Sequence, residues 1–340
     1  MFNNGLVVGK FYPYTKGHKH LISVAESRCK KVTVIVCWRD GQDISGVERA
    51  RWIQREHPNV HVILIDDNTL ADDDSKAWAK HTLKLLGFRP DAVFTSEDYG
   101  DEYARQMGCI HVLVDKERLS VPISATMVRS DPMKYARFLT PQVRAHFARR
   151  IVVVGAESTG KTTLVKELAR HYATVWIPEY GRTYTDGKGF TGPDGAWRPE
   201  EFVAIANGQN DLEDSLAEAS NGLVICDTDA FATGIWYERY FGGRSPAVEA
   251  IAKVRKYDLY ILTDDAIPFE QDGTRDGNEE IRRTMHNRFI QRLNETGKKY
   301  LLVQGSKEER LAQAIRAIDG LAVMSPGMSI LFAERPCAAA

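Results

Sequence analysis

The chain has 340 residues, with 45 basic and 46 acidic side chains and a formal net charge of −1. At roughly 150 residues per domain, this length points to two domains, and so balanced a charge gives no reason to expect nucleic acid as the main partner. A composition 43% hydrophobic and 27% charged is that of a folded globular chain, and no run approaches the ~18 apolar residues of a bilayer span, so disordered, fibrous and membrane-spanning classes are excluded.

From the amino terminus, short apolar runs alternate with helical patterns. Strands are predicted at Leu6–Val8, Val32–Cys37, Val60–Ile65, Ala92–Ser96 and Ile110–Val114, with helices at Gly17–Cys29, Val47–His57, Ser75–Leu86 and Gly100–Met107. Ser45 and Glu48 have the spacing of a capping box, and Gly87 and Gly108 stand where helix ends favour glycine. The alternation predicts parallel strands joined by right-handed crossovers. After the basic stretch Arg144–Arg150 the pattern starts again. It gives strands at Ile151–Val154, Val175–Pro178, Leu223–Cys226, Leu259–Thr263 and Tyr300–Val303, and a helix over Gly160–Tyr172. The glycine-rich segment Gly181–Gly195 reads as an exposed loop, with a lid over a ligand as the alternative. The expected fold class is α/β, with two parallel-sheet domains over residues 1–148 and 149–325 and an unassigned tail at 326–340.

The five cysteines, Cys29, Cys37, Cys109, Cys226 and Cys337, form no CxxC pair, so neither a zinc cage nor a disulfide framework is expected. A reducing, cytoplasmic compartment fits this pattern. The first residues run into Leu6–Val7–Val8 without a basic region and long apolar stretch, so no secretory signal peptide is expected.

In the second half, Gly155-Ala-Glu-Ser-Thr-Gly160-Lys161-Thr162 matches GxxxxGK[ST], placed after a predicted strand and before a predicted helix. Backbone N–H groups of such a loop and of the helix start present positive charge to phosphates. Gly155, Glu157, Ser158, Thr159, Gly160, Lys161, Thr162 and Thr163 are therefore the expected ATP-binding residues. Lys161 can reach the β- and γ-phosphates, and the Thr162 hydroxyl can ligate Mg²⁺. Asp227, at the end of the apolar run Leu223–Cys226, is the expected magnesium-side acid, with Asp229 two residues on. In Glu179-Tyr180-Gly181-Arg182, Glu179 can accept the proton of a substrate hydroxyl and Arg182 can pair with a transferred phosphate; a surface acid is the alternative for Glu179. Arg275 and Arg282 are candidates for a lid that shields the γ-phosphate, and a solvated charged face, which also includes Arg283, is the other reading. No NKxD sequence for guanine recognition is present.

In the first half, Gly9-Lys10-Phe11-Tyr12-Pro13-Tyr14-Thr15-Lys16-Gly17-His18 follows the first predicted strand with the pattern GxFxPxxxGH and core TxGH. Near the end of the same half lies Ile123-Ser124-Ala125-Thr126-Met127-Val128-Arg129, an ISxTxxR string that can present hydroxyls and a cation to a triphosphate. Together these two elements resemble the nucleotidyltransferase superfamily marked by (H/T)xGH and ISxTxxR, which implies a Rossmann-like nucleotidyltransferase domain followed by a P-loop kinase domain. The resemblance implies transfer of a nucleotidyl group from a nucleoside triphosphate to a substrate phosphate, with release of pyrophosphate. His18 would then donate to the α-phosphate, and Thr15 would hold His18. Lys10, Lys16 and Arg129 would neutralise the departing phosphates. Gly9, Lys10, Phe11, Thr15, His18, Ser124, Thr126 and Arg129 form this expected second ATP site.

The order of the two units, the Glu179–Arg182 segment, Asp227-Thr228-Asp229, Asp272-Gly273-Thr274-Arg275 and the stretch Thr95–Gly100 resemble the NadR family over about residues 5–320. This implies a nicotinamide-mononucleotide adenylyltransferase joined to a ribosylnicotinamide kinase, both using Mg²⁺ and ATP. The partners implied are small molecules: ATP, nicotinamide riboside, nicotinamide mononucleotide and NAD. Glu179, Tyr180, Arg182 and Asp229 would contact substrate, and Lys161, Glu179, Asp227 and His18 would be catalytic. With the first strand near Leu6, no amino-terminal helix-turn-helix domain and no DNA-binding role are expected. Pro178 stands where an aromatic residue before Glu-Tyr is expected, so Trp176, Tyr180, Trp197 and Trp236 are all candidates to stack on the pyridine ring. Two other readings remain open: the adenylyltransferase and kinase of coenzyme A synthesis, and an NAD sensor with one weak site. The sequence leaves room for a homo-oligomer without arguing for one.

Overall fold

A computed structural model describes residues 1–68, 74–188, 197–266 and 279–324. It divides into two compact units, Met1–Arg144 and Ala145–Ala340. The first unit runs β1 (Phe2–Gly9), α1 (Lys16–Arg28), β2 (Cys29–Trp38), α2 (Gly46–Glu56), β3 (His61–Asp66), α3 (Ser75–Leu86), β4 (Ala92–Thr95), α4 (Gly100–Met107), β5 (Ile110–Leu113) and α5 (Ala125–Ser130), with α6 (Pro141–Phe147) leading into the second. There the order is β6 (Arg149–Val154), α7 (Lys161–His171), β7 (Val175–Ile177), α8 (Tyr180–Lys188), α9 (Pro199–Ala217), β8 (Leu223–Asp227), α10 (Ala230–Phe241), α11 (Pro246–Val254), β9 (Leu259–Thr263), α12 (Glu279–Glu295), β10 (Tyr300–Val303) and α13 (Lys307–Met324).

Both sheets are parallel throughout, in the orders β3-β2-β1-β4-β5 and β10-β9-β6-β8-β7. The first is a Rossmann-like order, in which the chain leaves β3 at one edge and resumes with β4 on the other side of β1. Such a reversal opens a crevice beyond the carboxyl end of the central strand, and residues 9–18 emerge there. In the second sheet β6 is central, between β8 and β9, and residues 155–162 emerge at the corresponding point.

A parallel sheet covered on both faces buries both sides of each strand, which is why its strands read as unbroken apolar runs. Along β6 the alternation is visible in the packing: Ile151 and Val153 join Leu164, Val165 and Leu168 of α7 and Ala314 and Ile318 of α13. Val152 and Val154 face the opposite layer, with Ala217, Ile235 and Phe289 from α9, α10 and α12. In the first unit Leu6, Ile35 and Val93 pack on Ala79 of α3 and on Tyr103 and Met107 of α4.

All the predicted strands are present. Gly87 and Gly108 end α3 and α4 in the left-handed region that glycine adopts without steric cost. Ser45 caps α2 by accepting the Glu48 N–H at 3.1 Å. The segment expected as a loop from Gly181 differs: residues up to Lys188 continue as α8, where two turns of packing against α9 outweigh the helix cost of Gly181 and Gly187. The predicted lid arginine Arg275 and the tail 326–340 lie outside the described residues. No helix among the described residues is long and apolar enough to cross a membrane.

Candidate active sites

In the first unit, the loop after β1 turns through Phe11, whose φ of 46° lies in the left-handed region, and seats its ring in the interior. Thr15 then caps α1. Its side chain accepts the His18 N–H at 3.4 Å, and the Thr15 N–H donates to His18 Nδ1 at 3.1 Å, which completes a reciprocal capping box with histidine in the place usual for Glu or Gln. With Nδ1 occupied as an acceptor, the neutral imidazole carries its proton on Nε2. Burial, with a smaller contribution from Arg118, pushes the His18 pKa down to about 4. The ring is therefore a neutral N–H donor at physiological pH. Phe11 meets it edge-on at 5.1 Å between centroids.

The two motifs of this unit come together. Gly17 lies against Ile123, so close that a Cβ at Gly17 would be 3.7 Å from the Ile123 side chain. Arg129 donates to the Tyr12 carbonyl and, at 3.0 Å, to Thr126 Oγ1, with its guanidinium over the Tyr12 ring. Ser124 caps α5 through the Met127 N–H. Lys10 and Lys16 are exposed beside them, and Gly9 ends β1.

One residue that the sequence reading passed over holds this loop from behind. Arg49 of α2 is fully buried. Its donors reach the carbonyls of Lys10 (2.7 Å), Ile44 (2.8 Å), Ser45 (3.2 Å) and Cys37 (3.3 Å), and Gln42 Oε1 (2.5 Å). A buried guanidinium is tolerated only when its donors are met, and here they are met by three loop carbonyls, one carbonyl of β2 and the Gln42 side chain.

In the second unit, Gly155 has φ of 149°, and a Cβ there would stand 2.3 Å from Thr263 Oγ1, so only glycine lets β9 approach. Ser158 and Gly160 are also left-handed, and Gly160 caps α7, which begins at Lys161. The loop is tied to both neighbouring strands. Thr159 Oγ1 pairs with Thr263 Oγ1 at 2.7 Å, and Thr162 Oγ1 donates to Asp227 Oδ2 at 2.5 Å. Lys161 Nζ lies over the loop, donating to the Ala156 carbonyl at 2.7 Å; Thr163 follows on the first turn of α7. Glu157 is engaged through Oε1 by Arg239 of α10 at 3.2 Å, and its buried Oε2 has no hydrogen-bond partner among the described residues.

Asp227 and Asp229 are separated by Thr228, a β-branched residue at φ 65°, a conformation that such residues adopt only under constraint. The turn sends the two carboxylates to different tasks. Asp229 caps α10 through the Ala232 N–H (2.9 Å) and accepts the Tyr260 hydroxyl (2.7 Å), and burial raises its pKa. Both of its oxygens thus take a hydrogen bond from within the fold. Asp227 is buried too, yet its Oδ1 has no hydrogen-bond partner among the described residues. An open carboxylate oxygen beside the Thr162 hydroxyl is a donor set of the hard oxygen type that Mg²⁺ takes, with phosphate and water oxygens completing the shell. No cluster of three or more His, Cys, Asp or Glu side chains among the described residues could hold a metal ion.

Glu179 is half-buried at the start of α8, next to Gly181. The Tyr180 N–H donates to Gln209 at 2.8 Å, and the Tyr180 ring covers Gly208 of α9. Arg182 is exposed. Arg282, expected on a lid, is instead buried on α12, one turn from the buried Met285 and His286, with a donor on the Asp265 carbonyl. Among the aromatic candidates, Trp176 packs on the core under Lys166, and Trp236 packs between α10 and α12 against Phe289. Tyr180 lines a cavity of about 740 Å³ with Tyr184, Lys188 and Glu201, and Trp197 stacks behind Tyr184.

Residues 150–310 match the AAA domain family. The chain is 27% identical over 337 residues to the trifunctional NAD biosynthesis/regulator protein NadR of Escherichia coli (strain K12), a match that covers 93% of this chain and 82% of that protein. Two solved structures share the architecture, each with a TM-score of 0.74: a NadR protein in complex with NR, at 24% identity and covering 98% of both chains, and a NadR protein in complex with NAD and AMP-PNP, at 23% identity and covering 95% of this chain and 97% of that one. Over most of its length the chain is thus similar in sequence to the NadR proteins, and it shares the fold of the two solved NadR structures.

Proposed function

We propose that the chain is a bifunctional NAD salvage enzyme. Its second unit phosphorylates nicotinamide riboside at the 5′-hydroxyl with ATP, and its first unit joins the resulting mononucleotide to AMP from a second ATP, giving NAD and pyrophosphate. The observation that carries this reading is the completeness of both phosphate-facing loops within one chain that matches NadR over most of its length.

In the kinase half, Glu179 accepts the proton of the attacking hydroxyl, and the loop amides with Lys161 take up charge on the transferred phosphoryl group. Thr162 and Asp227 hold Mg²⁺, which when bound neutralises charge on the β- and γ-phosphates. Tyr180 and Arg182 face the acceptor. Arg275 remains the proposed lid arginine. In the adenylyltransferase half the nucleophile is a phosphate already ionised at neutral pH, so the site needs positioned donors and no general base. His18 Nε2–H donates to the α-phosphate, while Lys10, Lys16, Arg129, Ser124 and Thr126 take the departing pyrophosphate. The product phosphate of one site is the nucleophile of the other. The four described cysteines are free thiols, and we assign the chemistry to a reducing, cytoplasmic compartment.

The test is direct. Purified protein supplied with Mg-ATP and nicotinamide riboside yields the mononucleotide and then NAD. Phosphopantetheine as the sole productive acceptor would overturn the reading.

A further inference from the structure

We propose that the buried Tyr14 and His57, with the half-buried Glu26, form an anchor that fixes the plane of the His18 ring and so aims its Nε2–H; the proposal rests on the adenylyltransferase reading of His18. Tyr14 occupies a variable position of the GxFxPxxxGH pattern, yet it is fully buried and its ring lies over His18 at 6.1 Å between centroids and 22° between planes. Its hydroxyl bonds to His57 Nε2 at 2.9 Å, and His57 Nδ1 bonds to Glu26 Oε2 at 2.6 Å. A carboxylate only accepts, so His57 Nδ1 carries a hydrogen, and in the neutral ring Nε2 accepts the Tyr14 hydroxyl proton.

The chain of contacts ties three elements together. Glu26 belongs to α1, the helix that His18 opens, and His57 caps the end of α2, the helix that carries Arg49. The capping box fixes His18 at Nδ1 and so restricts its χ2, but a 3.1 Å hydrogen bond still lets the ring librate, and that remaining freedom sets the aim of Nε2–H. Phe11 at the edge and Tyr14 at the face remove that freedom. A phenol ring held at its hydroxyl end cannot tilt, whereas a ring held only by packing can. The direction of a donor matters because hydrogen bonds to a developing charge weaken steeply as they bend.

These are positioning residues: none has a route to substrate except through His18. Tyr14→Phe keeps the ring and removes the anchor, and Glu26→Ala removes its far end. In steady-state synthesis of NAD from mononucleotide and ATP, Tyr14→Phe lowers kcat about fivefold with both KM values within twofold, and Glu26→Ala lowers it less. The double variant is no worse than Tyr14→Phe, since links of one chain do not add. Phosphorylation of nicotinamide riboside stays at the wild-type rate. In ¹⁵N-resolved imidazole spectra the His18 Nε2–H signal of Tyr14→Phe shifts or broadens. Unchanged kcat with unchanged His18 signals would overturn the proposal, as would additive losses or a parallel fall in both activities with a lowered Tm, which is what packing alone predicts. If the wild type makes no NAD from mononucleotide, the functional reading fails, and the His18 signals of Tyr14→Phe still decide whether the anchor holds the ring.

Discussion

Arg310 donates from Nη1 to the main-chain carbonyl of Thr159 at 3.1 Å. The guanidinium is buried on α13, its Nε reaches the Gly305 carbonyl at 2.9 Å, and its other arm pairs with Asp264 at the end of β9. Holding a loop carbonyl from behind keeps the N–H face of that loop toward its anion. Arg49 does the same to Lys10 in the first unit, so each motif loop has its own buried arginine brace. Arg310→Lys keeps the charge beside Asp264 but loses the fork that spans Thr159 and Gly305. We expect KM for ATP in riboside phosphorylation to rise about fivefold, with NAD synthesis from mononucleotide unaffected; equal ATP affinity in the variant would refute the brace.

Asp227 offers the open oxygen beside Thr162. Asp227→Asn should lower riboside phosphorylation by about a hundredfold and shift its Mg²⁺ dependence to higher concentration. A titration of rate against Mg²⁺ checks this. A variant with the wild-type Mg²⁺ midpoint would place the metal elsewhere.

His18 is held neutral by burial and by the N–H that occupies Nδ1. Its ring should titrate near pH 4 in histidine-resolved NMR, well below the ordinary value of 6.5. The sign follows for stability: between pH 6.5 and 4 the unfolded chain takes up a proton that folded His18 refuses, so this site weakens the fold as pH falls through that window. Titration near 6.5 would mean a solvated, loosely held ring.

Glu213 behaves in the opposite sense. It is fully buried on α9, and burial pushes its pKa up to about 7 despite Arg255 and Arg150 at 3.4 and 3.9 Å. Arg255 spends its hydrogen bonds on Asp214 and the Asn210 carbonyl, and among the described residues Tyr257 is the one hydrogen-bond donor to Glu213. The unfolded chain releases this proton near pH 4.5 while the folded chain holds it to about 7. Stability is therefore lost as pH rises across that window, by an amount of order 3 kcal/mol. Glu213→Gln, which cannot ionise, should gain relative to wild type between pH 5 and pH 8 in denaturant unfolding. An equal displacement at both pH values would exclude the mechanism.

Much of the fold can be read from the sequence because parallel strands announce themselves as apolar runs and glycines mark the ends of α3 and α4. The motif loops are legible for a similar reason, since their chemistry is local and their spacing fixed. What escapes is whatever depends on a distant partner. Arg49 and Arg310 sit on helices where an arginine ordinarily reads as a solvated charge, and only the tertiary fold shows them buried on loop carbonyls. Asp229 reads as a second site carboxylate, but the left-handed Thr228 turns it into a helix cap. Arg282 reads as a surface or lid cation, but the fold buries it with a donor on the Asp265 carbonyl. His57 gives no local signal at all, because its partners Tyr14 and Glu26 come from other elements.

The central claim is that two separate sites act in sequence, and paired variants test it most directly. Lys161→Ala should abolish formation of the mononucleotide from nicotinamide riboside while leaving its conversion to NAD intact, and His18→Ala should do the reverse. Loss of both activities in either variant would contradict the account.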